Sequence, residues 1–117
     1  MHTEENEMDT KFVALDISRQ MLRELRPIVA AIGRHDRDLK NQLQRAATSV
    51  HLNLGESRGR AGGDRRRCFE IAAGSAFEVE AALDAAEAWG WIDDPREARR
   101  IVRRMIGLLW GLRRTRP

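Results

Sequence analysis

The residues best placed to do chemistry together are Arg45, Ser49, Asn53 and Glu56, which recur every three or four positions, with Glu78 further along the chain. At that spacing a guanidinium, a hydroxyl, an amide and a carboxylate share one side of a helix. Buried together they would have to satisfy one another, Arg45 with Glu78 for instance, and a polar network of that kind fixes register and helix pairing. The same groups could instead form a shared ligand or partner site. Catalytic chemistry is poorly served by comparison. Ser49 and His51 are two positions apart and point away from one another on a helix, so Ser49, His51 and Glu56 make no triad. A di-iron bundle needs Glu-x-x-His, but Ile32 and Thr48 stand three positions before His35 and His51. The segment Arg58-Gly-Arg-Ala-Gly-Gly63 lacks the Gly-Lys-Ser/Thr ending of a phosphate loop. Cys68 follows three arginines that would lower the pKa of an accessible thiol, yet one cysteine on an apolar helix face reads as packing. As the only cysteine it excludes an internal disulfide framework and a multi-cysteine zinc site. No catalytic residue, metal or cofactor is expected.

The second chemistry on offer is electrostatic. The formal charge of +3 conceals a segregated chain with 19 arginines and only 2 lysines. Arg58 to Arg67 holds five arginines and one aspartate, and Cys68 to Gly90 holds five acids and no base. Pro95 to Pro117 holds eight arginines and one glutamate. Arg58, Arg60, Arg65, Arg66 and Arg67 form one candidate phosphate-contacting patch. Arg99, Arg100, Arg103, Arg104, Arg113, Arg114 and Arg116 form another. With no aromatic residues interleaved, both would work by counterion release rather than base readout. Trp89, Trp91 and Trp110 are candidate exceptions as base-stacking rings, although the first expectation for them is burial at a helix end or a subunit interface. The rival expectation is a purely structural or protein-interaction oligomer, its arginines paired with the acidic third helix of a neighbouring subunit and no nucleic acid bound.

Helices must position these groups. At 117 residues one domain is expected, and three prolines, no tyrosine and few β-branched residues argue against a sheet. Residues 1–9 are acidic and expected to be disordered, with a single domain over 10–114. Asp9 or Thr10 would cap a first helix carrying Phe12, Leu15, Leu22, Leu25, Val29 and Ile32, with Pro27 kinking or breaking it near Leu25 and Arg26. After a turn at Gly33 to Asp36, a second helix starts at Asp36 or Asp38. It carries Leu39, Leu43, Ala46, Val50 and Leu54 and ends near Ser57. Asp64 would cap a third helix with Phe69, Ala72, Ala76, Val79, Leu83 and Ala86, closed by Gly90. Asp93-Asp94-Pro95 opens a fourth, with Ala98, Ile101, Met105, Leu108 and Leu112 at its seam. Short connections between such helices give an all-α, antiparallel up-down-up-down four-helix bundle. Helices two and three would then bring Arg45 near Ala76 and Glu78, Ser49 near Ala72, and Glu56 near Arg65. Ala46, Ala47 and Ser49 would pack closely on Ala72, Ala73, Gly74 and Ser75. No apolar run is long enough to span a membrane and no signal peptide is evident, so a cytoplasmic protein is expected.

The run Gln42-Leu-Gln-Arg-Ala-Ala-Thr-Ser-Val50, followed by His-Leu-Asn-Leu-Gly-Glu56, resembles the signature of the 23S rRNA intervening-sequence protein family. These small four-helix bundles usually read Gln-x-x-Arg-Ala-Ala-x-Ser-Ile/Val-x-x-Asn-Ile-Ala-Glu-Gly. The stretch Phe69-Glu-Ile-Ala-Ala-Gly-Ser-Ala-Phe-Glu78, then Leu83, Ala86, Gly90 and Ile92, is similar to the family's second half. The resemblance spans about Leu15 to Leu112. Gly55 stands in place of the usual Ala, and Ser57 in place of the glycine that stops the second helix. The resemblance implies a bundle without catalytic residues that assembles as a homo-oligomer, a pentamer in related proteins. It also implies accessory roles, in some relatives beside a reverse transcriptase, with RNA or DNA as a further partner.

Overall fold

The computed structural model describes the backbone of residues 3–114 and the side chains of residues 10 and 12–114. Its four helices are α1 (Thr3–Gly33), α2 (Arg37–Ser57), α3 (Gly62–Ala88) and α4 (Arg96–Arg114). α1 packs on α2 and α4, and α3 packs on α2 and α4, so the helices form a square in which each antiparallel neighbour in sequence is a neighbour in space. This is the expected up-down-up-down bundle, 48 × 22 × 18 Å in extent. The α1–α2 and α3–α4 turns lie at one end and the α2–α3 turn at the other.

The helix boundaries are set by local chemistry, with some departures from expectation. α1 begins at Thr3, not at Asp9 or Thr10, so the acidic segment from Thr3 onward is helical; Met1 and His2 lie outside the described residues. Nothing between Thr3 and Asp9 breaks a helix, and acids in a first turn complement the helix dipole. Pro27 sits within α1 without ending it. Pro27 and Arg23 both face solvent, so water can satisfy the Arg23 carbonyl that the proline leaves without a partner, while buried Leu25 and Ile32 hold the helix on either side. Asp36 caps α2, its carboxylate accepting from the Leu39 N–H at 3.1 Å. α2 ends at Ser57 without a glycine: the hydroxyl of buried Ser57 donates to the Leu54 carbonyl at 2.7 Å. The N–H groups of Arg58, Gly59 and Arg60 each reach back three residues. α3 is capped at Ala61 without a side-chain bond, and Asp64 lies inside its first turn rather than at the cap. Gly62, at φ +58°, makes the bend that lets the helix start early. At the other end Gly90, at φ +78°, donates to Glu87 while Trp91 donates to Ala86, the paired bonds of a Schellman stop.

The core follows the apolar stripes. All six expected α3 residues, from Phe69 to Ala86, are buried, as are Leu43, Ala46, Val50 and Leu54 of α2. On α1, Phe12 proves exposed, while Ala14, Ile17 and Met21 take the interior. On α4, Leu109 replaces Leu108 at the centre. Ser49 meets Ser75 across the α2–α3 seam, with buried Ala46 and Ala72 one turn before them on the same faces, whereas Ala47 lines the groove between α1 and α2 with Leu22, Leu25 and Val29. Gly74 does not join that seam: it is exposed, with open space where a Cβ would stand. Gly107 of α4 is equally open and exposed. Gly107→Ala is therefore expected to raise stability by about 1 kcal/mol, because alanine adds helix propensity and meets no clash; thermal or urea melts of the two proteins check this.

Candidate nucleic-acid interface

α2 turns Ala46, Ala47, Val50 and Leu54 inward, which places its polar series at the outer edge of the α2–α3 pair instead of inside the bundle. Ser49 and Asn53 are half-buried, and Arg45, Glu56 and Glu78 are exposed. The inner part of the series is joined: Ser75 donates to the Ser49 hydroxyl at 2.8 Å, and Asn53 donates to the Ser49 carbonyl at 2.9 Å and its hydroxyl at 3.2 Å. Among the described residues no bond links Arg45 to Glu78, and Glu56 pairs with Arg60 at 3.3 Å instead of Arg65. The expected burial is thus corrected, because core-facing positions on α2 are all taken by small and apolar residues. What remains outside is a shallow depression of about 420 Å³ lined by Asn41, Gln44, Arg45, Thr48, Ser49, Leu52 and Asn53.

A second polar contact escaped the sequence pattern. The Ser18 hydroxyl, 0% exposed, lies 2.7 Å from the Leu15 carbonyl and 2.7 Å from His51 Nδ1. Its single proton can serve one of them: when it donates to Leu15, His51 donates through Nδ1. A buried serine on the α1 apolar face was the available signal. The pair has the composition of a nucleophile and base, but a serine closed off from solvent cannot meet a substrate, so the contact anchors α2 on α1. Burial, aided by the nearby Arg19 charge, pushes the His51 pKa below its ordinary value. The unfolded chain therefore binds a proton at a pH where the folded chain does not. The contribution of neutral His51 is whole above the ordinary histidine range and is lost as pH falls through it. Urea stability is expected to decline from about pH 7 to about pH 5, and His51→Gln should flatten that decline.

The arginines divide by neighbour. On α4, Arg99 bridges Asp84 and Glu87 of α3 and is only 18% exposed. Arg103 reaches Glu80 at 3.4 Å and Arg113 reaches Glu70 at 3.9 Å. Arg100 pairs with Glu97 through Nε at 3.0 Å. Antiparallel packing sets the acidic helix directly beside the basic one, so most of the tail charge is met within the chain itself. Arg104 and Arg114 are exposed and make no ion pair among the described residues; Arg116 lies outside them. At the opposite turn the balance differs. Arg58 stacks over the exposed Phe12 ring, 5.5 Å from its centroid. Arg66 and Arg67 are exposed without a carboxylate partner among the described residues, Arg65 is half-buried, and Arg60 is shared with Glu56. Cys68, just beyond, is buried. Its thiol is pushed up by burial and by Glu56 and Asp64 against the lowering pull of Arg60 and Arg67, so the arginines do not activate it.

None of the three tryptophans is fully buried within the chain. Trp110 is half-buried beneath the Arg113 guanidinium, 4.0 Å from the ring centroid. Trp91 stacks on His35 and on Trp89, with centroids 5.9 and 5.7 Å apart, and Trp89 is 71% exposed. Among the described residues, no group of three His, Cys, Asp or Glu could hold a metal ion, and no helix is long and apolar enough to cross a membrane.

A sequence model of the 23S rRNA-intervening sequence protein family matches residues 10–108. Among solved structures, a protein of unknown function from the S23 ribosomal protein family of Bacteroides thetaiotaomicron superposes with a TM-score of 0.80. It is 18% identical, over 91% of this chain and 99% of that one, a likeness that carries the fold alone. No curated protein sequence matches the chain.

Proposed function

We propose, from the premise that this chain belongs to the 23S rRNA-intervening sequence protein family, that it is a non-enzymatic, homo-oligomeric cytoplasmic bundle binding nucleic acid through its arginine-bearing end. The same end would serve in binding a nucleic-acid enzyme such as a reverse transcriptase while that enzyme holds its template. The observation that carries the proposal is the gathering of Arg58, Arg66 and Arg67 at the α2–α3 turn, exposed and without carboxylate partners among the described residues. Each can displace a counterion from a phosphate, and repetition of the patch across subunits converts modest affinity into avidity. The α4 arginines contribute less, since carboxylates of α3 already hold Arg99, Arg103 and Arg113. A second reading, an interaction oligomer without nucleic acid, draws on the exposed Leu52 and Ile71 beside the polar series of α2. Binding of single-stranded and duplex RNA measured between about 50 and 200 mM salt separates the two. A steep negative salt slope supports nucleic-acid binding, and negligible affinity at the lowest salt overturns it.

A further inference from the structure

Cationic side chains on the long sides of the bundle are met by carboxylates on α3 and α4 but left over along α1 and α2. Between Phe12 and Arg58 the chain holds eight bases and five acids. Asp16 is held by Arg19 at 2.6 Å, and Glu56 by Arg60 at 3.3 Å. Glu24 and Arg34 line a groove on the other side of α1, towards the start of α4. Asp36 caps α2, and Asp38 formally offsets Arg37 beside it and, two positions before Lys40, points away from that lysine. Arg23, Arg26, Lys40, Arg45 and Arg58 then have no carboxylate partner among the described residues. Glu4, Glu5, Glu7 and Asp9 precede Phe12 in α1, so they stand ~20 Å or more along the helix from Arg23.

Three of these bases border the α1–α2 groove. Arg26 stands on its rim with Gln44 and Thr48, above Leu22 and Val29. Arg23 is exposed three residues before Arg26, in a row with Arg19. Lys40 comes from α2, and its side chain packs over α1 at Gly33, 2.7 Å from where a Cβ would stand there. The α2 side that borders the groove, with Lys40, Gln44 and His51, reaches the arginine turn at Arg58, seven residues after His51.

We infer that nucleic acid bound at the arginine turn continues along the α1–α2 face, with Arg23, Arg26 and Lys40 as further phosphate contacts. This path rests on the nucleic-acid binding proposed above and extends it to the long side of the bundle. From Phe12, where Arg58 stacks, to Arg26 it follows fourteen residues of α1, roughly 20 Å. Gln44 and Thr48 add neutral donors between the cations, and no aromatic ring lines the groove, so the contacts are to the phosphate backbone and not to bases. An acidic protein segment meets the same cations, but continuity with the arginine turn favours a polyanion long enough to span both.

Anisotropy of the full-length protein with a labelled oligo(U) of about 20 nucleotides, read between about 50 and 200 mM salt, tests the path. Arg23→Gln with Arg26→Gln removes two exposed cations that hold no ion pair among the described residues, and Arg104→Gln with Arg114→Gln removes two of the same kind from α4. The two double variants differ in place and not in charge. The first should bind about tenfold more weakly at the lower salt, with a salt slope shallower by about 1–2, and the second should change affinity by no more than about twofold. Equal losses in both would reduce the effect to net charge and overturn the path. A loss in Arg66→Gln with Arg67→Gln but none in the first pair would confine the RNA to the turn, overturning the path and leaving the proposed function intact. A wild type without affinity at the lower salt removes that function and the path together. Poly-glutamate that binds the wild type more tightly than oligo(U), and loses more affinity in the first pair, would hand the face to an acidic protein segment and overturn the nucleic-acid path.

Discussion

The triple variant Arg58→Glu, Arg66→Glu, Arg67→Glu is expected to lose nucleic-acid binding while keeping its fold. The affinity argument rests on what these side chains lack. They have no carboxylate partner among the described residues, so each is available to a phosphate without first breaking an ion pair. Reversing three such charges removes three favourable contacts and adds three repulsive ones. At low salt the loss should be on the order of 100-fold or more, and the slope of log affinity against log salt should become shallower by roughly two. The stability argument runs the other way. Arg66 and Arg67 lie in the second turn of α3 and are exposed, so glutamate there breaks no ion pair among the described residues, and the like-charge pairing of position 66 with Glu70 costs only about 0.2–0.5 kcal/mol. Only Arg58 gives up a contact, its stacking over Phe12, worth about 0.5–1 kcal/mol at an exposed site. Fluorescence anisotropy with labelled RNA, beside a urea melt of each protein, measures both halves. A folded triple variant that binds as the wild type does would remove the α2–α3 turn from the interface. The companion pair Arg103→Glu, Arg104→Glu tests the rival: unchanged sedimentation would tell against arginine-mediated subunit contacts.

The bundle was legible in the sequence because helix periodicity and helix ends are local. Phe69, Ala72, Ala76, Val79, Leu83 and Ala86 lie on one face by spacing alone, and every one is buried. Gly90 marked the α3 stop because only a residue tolerant of positive φ closes a Schellman turn there. Pairing across helices was less legible. Ser49, expected against Ala72, bonds instead with Ser75, almost one turn further on. The turn does not supply that offset, since the early start of α3 at Gly62 would bring lower-numbered residues opposite Ser49; packing along the seam sets it. Which side of α2 its polar series would occupy depended on how many small residues the α3 seam could accept, a tertiary question. The charge pattern identified the arginines but not their neighbours. Only packing reveals that α4 spends Arg99, Arg103 and Arg113 on α3, leaving more exposed arginines without a carboxylate partner, among the described residues, at the α2–α3 turn than on α4.

The same substitution made at two places on α3 should give very different results, and the contrast tests how the core supports the arginine turn. Phe69 is 1% exposed and Phe77 is 45% exposed. Phe69→Ala removes a buried ring near the first turns of α3 and leaves a cavity that the neighbouring helices fill only in part. The expected cost is about 3–5 kcal/mol, a large share of the roughly 5–15 kcal/mol that holds a domain of this kind together. Phe77→Ala removes a ring that water already half covers. It should cost no more than about 1 kcal/mol, since little apolar surface returns to solvent. The functional consequence is separable as well. Phe69 lies one turn beyond Arg65 and Arg66, so its packing fixes the start of α3 and with it the placement of the arginines. Nucleic-acid affinity should fall in Phe69→Ala even at denaturant-free conditions where most molecules remain folded, and should be unchanged in Phe77→Ala. Urea midpoints and anisotropy on the same samples give both readouts. Equal destabilisation by the two variants would contradict the burial that places Phe69 in the core. Full affinity in a destabilised Phe69→Ala would mean that the arginine turn holds its shape without support from beneath.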